Sequence, residues 1–156
     1  MCYTQSRFKA LLSACVMSLI ATTGWSQSLT WLGVVSNDSY AHGVSADGSV
    51  VVGWGSYTTY SYGDYYTYTN AFRWTASGGM QNLGTLGGDY SAAYGVSADG
   101  AVVVGEARNA LGDYRAFRWA ASDGMEDLGT LGGIYSEAWG VSADGAVVVE
   151  IGRAHV

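Results

Sequence analysis

The chain lacks proline altogether, and its only two cysteines, Cys2 and Cys15, lie within the first fifteen residues. With no proline, chain reversals fall to glycine and aspartate. Removal of the leader described below would leave a mature chain without a disulfide, a thiolate metal site or a cysteine nucleophile. Histidine is nearly as scarce: His42 is the one histidine outside the last seven residues. One imidazole and no thiol cannot assemble a zinc site or a nucleophile–His–carboxylate triad. Charge is sparse too. Charged residues make up 13% of the chain, against about 25% in an average soluble domain. Lys and Arg total 7 against 13 Asp and Glu, a net charge of −6. Nucleic acid is a poor partner for such a surface, because phosphate neutralisation needs clustered Lys and Arg. No apolar period of 3.6 residues is present, and 23 glycines argue against helical repeats.

What the chain does contain is repetition. Val-Ser-Ala-Asp-Gly occurs at 44–48, 96–100 and 141–145, at spacings of 52 and 45 residues. Ala-Phe-Arg-Trp at 71–74 and 116–119, and Leu-Gly-Thr-Leu-Gly-Gly at 83–88 and 128–133, each recur after 45 residues. The stretch 124–145 repeats 79–100 almost word for word, and 31–48 is a degraded third copy. The unit is therefore about 45 residues long, with a seven-residue insertion in the Tyr-rich stretch 54–70 of the first copy.

Each unit reads as four short strands, placed in the second copy at 92–97, 101–107, 114–120 and 125–131. Asp-Gly between apolar runs signals a hairpin, since both residues tolerate positive φ. Consecutive valines at 102–104 predict a strand buried on both faces. In 114–120, Phe117 and Trp119 alternate with Ala116 and Arg118, the period-two pattern of a strand. Met125 and Leu128 stand three apart, which predicts a bulge or early turn in the fourth strand. Four strands in 45 residues match one propeller blade. The expected fold is all-β: tandem four-stranded antiparallel repeats in an incomplete, β-propeller-like array, with an elongated stack of β-units as the alternative.

Residues 1–26 read as a signal peptide. Arg7 and Lys9 precede an apolar run at 10–22, too short to span a bilayer, which takes about 20 residues. Cleavage is expected after Ser26, or after Gly24. Leu12-Ser13-Ala14-Cys15 looks like a lipoprotein box, but the apolar run continues past the cysteine instead of ending at it. The expected divisions are 1–26 leader, 27–48 partial repeat, 49–100 repeat with the Tyr-rich insertion, 101–149 repeat and start of the next, and 150–156 a tail. That tail, Glu150 to Val156, breaks the pattern and matches the translation of a common sequencing adapter, so the natural chain is expected to run on in further repeats.

Candidate chemistry is thin. Asp47, Asp99 and Asp144 sit in identical turns and read as turn formers, with calcium ligation the lesser alternative; no EF-hand pattern is present. Glu126 and Asp127 are adjacent and would point to opposite faces of a strand, unlike a glycosidase pair. His42 occupies the slot of Tyr94 and Trp139 and reads as an aromatic substitute. No glycine-rich phosphate loop follows a strand in a βαβ context. The idiosyncratic feature is 55–70, which carries Tyr57, Tyr60, Tyr62, Tyr65, Tyr66 and Tyr68 among Ser, Thr and Gly. Tyrosines among small polar residues make adaptable contact surfaces, and strand propensity pairs them across a hairpin.

The blocks AFRW, GM(x)(x)LGTLGG and GVSADG(x)VVVG resemble the extracellular repeat of the HAF family, and the repeat regions of bacterial autotransporter-type surface proteins. The resemblance spans about 31–149. It implies an exported, non-enzymatic surface module of structural or adhesive role, without cofactor, metal site or catalytic residues, and not membrane-spanning once the leader is removed. The family's name-giving His-Ala-Phe is Asn70-Ala71-Phe72 and Arg115-Ala116-Phe117 here, so no histidine role carries over. The alternative is a lectin-like module that binds a surface glycan or protein through 55–70; a secreted hydrolase on a propeller scaffold is a distant third.

Overall fold

The computed structural model describes residues 32–33, 38–130 and 132–154. Among them are ten β-strands and no helix. β1 (Asp38–Val44), β2 (Val50–Ser61), β3 (Asp64–Thr75) and β4 (Gly79–Asn82) pair consecutively and antiparallel. β5 (Gly87–Val96), β6 (Val102–Asn109), β7 (Tyr114–Ala120) and β8 (Gly124–Asp127) do the same. β9 (Gly133–Val141) and β10 (Val148–Ala154) form a third antiparallel pair. The first two meanders touch edge to edge through one parallel pair, Thr69 with Tyr90. The strands form an eight-stranded mixed sheet and a separate pair, and they do not close into a ring. The all-β expectation holds. The second meander begins at Gly87, and Gly100 lies in the hairpin turn between its first two strands. The leader, its cleavage residues Gly24 and Ser26, and both cysteines lie outside the described residues.

The valine run is buried on both faces because the second meander is sandwiched. Val103, Phe117 and Trp119 pack with Val50, Val52 and Ala71 of the first meander, closed by Leu83. Val102, Val104 and Ala116 point the other way and pack with Ala138, Val141 and Val148 of the third. Two apolar layers, one on each face, let a meander too thin to hold its own core share one with each neighbour.

Polar seams run between these layers. The Ala46 N–H donates to the Ala98 carbonyl at 3.0 Å, and the Ala98 N–H donates to the Ala143 carbonyl at 3.0 Å. Fully buried Ser91 accepts from the Ala71 N–H at 2.8 Å and donates to the Gly84 carbonyl at 2.6 Å. Ser136 repeats this with Ala116 at 2.9 Å and Gly129 at 2.5 Å. Each serine thus uses both its acceptor and its donor capacity inside the core, where an unpaired hydroxyl would be costly.

Of the two expectations for the fourth strand the early turn holds, since pairing is regular and strand structure stops at Asp127, and the bulge lies elsewhere. It falls in the first strand of each meander instead. Register slips by one at His42 between Ala41 and Gly43, and at Tyr94 between Ala93 and Gly95. Trp139 is passed over in the same way between Ala138 and Gly140. Opposite the bulge the backbones close in. A Cβ on Gly53 would lie 1.9 Å from the Tyr40 carbonyl oxygen, and one on Gly105 would lie 2.0 Å from that of Ala92. This explains why glycine follows the valine run in both copies. Glu150 fills that slot in the third, and its Oε1 is buried with no hydrogen-bond partner.

Two substitutions test the packing. Gly105→Ala should lower unfolding free energy by about 1–3 kcal/mol, the usual cost of overpacking. Phe117→Ala should lower it by about 3–5 kcal/mol through cavity formation. Urea unfolding followed by tryptophan fluorescence measures both, and a neutral Gly105→Ala would contradict the close approach.

Candidate functional site

The repeated aspartates are turn locks. In the first turn, Asp47 Oδ1 accepts from Ser45 Oγ at 2.7 Å, the Ser49 N–H at 2.9 Å and Ser49 Oγ at 2.8 Å. Ser45 Oγ in turn accepts from the Val50 N–H at 3.0 Å. Asp99 with Ser97, and Asp144 with Ser142, repeat the arrangement. Hydrogen bonds from the serine hydroxyls, and then from backbone N–H groups, pull the Asp47 carboxyl down to about 2 and lower Asp99 and Asp144. The three carboxylates therefore serve three separate hairpins. Among the described residues, no group of three or more metal-ligating side chains converges.

Glu126 and Asp127 also separate. Glu126 lies 3.8 Å from the Arg118 guanidinium, and Asp127 Oδ1 accepts from the Gly129 N–H at 2.7 Å. His42 is exposed, accepts from Trp54 Nε1 at 3.0 Å and meets the Tyr94 ring edge-on at 5.7 Å. Tyr94 stacks on Trp139 at 4.5 Å, with an interplanar angle of 9°. The three bulge residues thus form an aromatic column running from meander to meander, and His42 belongs to it as a ring.

The Tyr-rich insertion is a long arm of the β2–β3 hairpin. Tyr57 pairs with Tyr68, Thr59 with Tyr66, and Tyr60 with Tyr65. Tyr57 and Tyr68 stack at 5.4 Å, and Tyr60 and Tyr65 meet at 5.0 Å. Alternation places Tyr57, Tyr66 and Tyr68 on one face and Tyr60 and Tyr65 on the other. Tyr62 sits at the tip, fully exposed, with φ 52 beside Gly63 at φ 93. Positive φ at both loop positions fits a two-residue turn that matches strand twist. The six tyrosines therefore do not converge on one platform; they clothe both sides of a projecting arm.

A cluster that composition did not reveal surrounds Glu106, a residue only 7% exposed. Its Oε1 accepts from Tyr94 at 2.6 Å and Tyr90 at 3.2 Å, while Tyr135 lies 3.4 Å from Oε2. Tyr135 donates to Glu137 at 2.7 Å. Burial, with the neighbouring carboxylates, pushes Tyr90 up to about 12 and raises Tyr94 and Tyr135 well beyond the usual phenol value. With these phenols as donors, the cluster clamps the third meander onto the second. Glu106 stands where the first copy has Trp54 and the third has Ile151, so only non-repeated sequence marks it.

At the seam between the first two meanders a cleft of about 410 Å³ is lined by Arg73, Gln81, Asp99, Trp119 and Ser122, among others. Arg73 Nε donates to the Gly100 carbonyl at 3.1 Å. Arg108, Arg115 and Arg118 each have a carboxylate partner; among the described residues Arg73 makes no ion pair.

The chain matches no protein-family model, no curated protein and no solved structure. Its functional reading therefore rests on its own residues.

The turn locks carry a pH dependence. Folded carboxyls held below the ordinary value of 3.8 add stability that is complete above that pH and is lost as pH falls towards about 2. Asn at 47, 99 and 144 should lower Tm at pH 7 and flatten its decline between about pH 4 and pH 2. Thermal melts across that range measure this; an unchanged slope would mean the locks contribute nothing.

Proposed function

We propose that this chain is an exported, non-enzymatic surface repeat protein, of the HAF-like or autotransporter-passenger type, with a structural or adhesive role. The recurrent seam carries the reading. Serines, aspartates and glycines that repeat along the chain are consumed by turns, bulges and inter-meander hydrogen bonds. Their chemistry holds the array together, and individuality is left to what projects from it. The first two meanders each have the strand count of a propeller blade, and we read the array as propeller-like, with an elongated stack as the alternative. No helix among the described residues is long and apolar enough to cross a membrane. Expression with its leader in a bacterial host, followed by surface proteolysis and N-terminal sequencing, tests export. A chain beginning at Gln27 or Trp25 and accessible to protease is expected; an uncleaved intracellular chain would overturn it.

The second reading, a lectin-like module, is favoured by the exposed arm. Tyr60, Tyr62 and Tyr65 present phenol rings to solvent at its end, and such rings give broad contact at low entropic cost. Replacing these three by Ser should leave Tm within about 2 °C while abolishing glycan-array or cell-surface binding. Binding that persists would remove the arm as a contact surface.

A further inference from the structure

We propose that the cleft between the first two meanders binds an acidic sugar, with the Arg73 guanidinium receiving the sugar carboxylate. The inference is independent of export and of the tyrosine arm. It starts from a difference between two equivalent places. Arg73 lies opposite Gln81 in the β3–β4 register, and Arg118 lies opposite Glu126 in the β7–β8 register. At the second place the glutamate stands 3.8 Å from the guanidinium and balances it. At the first, a neutral amide stands where that carboxylate would be, and among the described residues Arg73 makes no ion pair.

The charge is held in place. Its Nε is bonded to the Gly100 carbonyl of the next meander, so recognition falls to the terminal guanidinium nitrogens, whose fork suits a carboxylate. The cleft around it, about 410 Å³, falls within the roughly 300–1,000 Å³ of small-molecule sites.

The other lining groups narrow the ligand class. Asp99 lies in the same cleft, and its Oδ1 is occupied by Ser97 Oγ and the Ala101 N–H. Its second oxygen is an acceptor that suits a hydroxyl and repels a second anionic group. Gln81 and Ser122 add amide and hydroxyl partners. Sulfate would meet the Asp99 charge without offering it a donor. A molecule with one carboxylate and several hydroxyls satisfies both ends at once. Trp119, only 6% exposed, closes the floor and is no stacking platform, so affinity rests on polar contacts and should be modest.

Titration of the full chain with galacturonate, followed by NMR shifts or calorimetry, tests the site, with galactose and inorganic sulfate as comparison ligands. Galacturonate should bind at one site with Kd on the order of 1 mM, and at least tenfold more tightly than either comparison ligand. Arg73 also bridges two meanders, so its removal could unfold the chain. Gln81→Glu avoids this by recreating the Arg118–Glu126 pairing, and should weaken galacturonate at least tenfold with Tm unchanged. Equal binding of galactose, equal binding of sulfate, no binding of galacturonate, or binding indifferent to Gln81→Glu in a folded variant would each overturn the proposal.

Discussion

The structure depends on how closely two backbones approach at one bulge in the first strand of each meander. Where His42 and Tyr94 are squeezed out of register, the facing residue has no room for a side chain, and Gly53 and Gly105 fill that place. The bulge turns an aromatic ring out of the ladder and towards the neighbouring meander. It also bends the strand so that the Ser-Ala-Asp-Gly turn that follows meets the next turn within hydrogen-bonding distance. Ring column and backbone relay are two consequences of one local distortion.

The same geometry determines what chemistry the chain can hold. Repeated residues lie at equivalent places along the array, so Asp47, Asp99 and Asp144 each close a different hairpin. Convergence arises where the copies differ. Glu106, with phenols from the second and third meanders, is one such place, and Arg73 opposite Gln81 is another. The repeated residues are occupied with turns and contacts between meanders.

Much of this was legible in advance. Asp-Gly marked the hairpins, the valine triplet marked a strand covered on both faces, and alternation in 114–120 separated Phe117 and Trp119 from Ala116 as the two cores do. In the fourth strand the spacing of Met125 and Leu128 left a bulge and an early turn both open, and the strand ends early at Asp127. The true bulge left no mark in apolar spacing: a bulged residue is identified by a partner strand, not by its own neighbours. The Tyr-rich stretch was recognisable as a hairpin, but its division into two faces and a tip required the turn at Tyr62 and Gly63.

The amino-acid sequence by itself determined the period, the turn positions, the all-β class and the two-sided burial of the central strand. Those follow from local rules: glycine and aspartate at positive φ, β-branched runs, and alternation. Tertiary structure alone decided which residues from different copies meet. The exchange of Glu126 for Gln81 was visible as two letters. It became a difference in charge balance only once register set each opposite an arginine eight residues away. Glu106 likewise became a buried acceptor only when β9 brought Tyr135 over it. Pairing and stacking are long-range, and no window along the chain contains both partners.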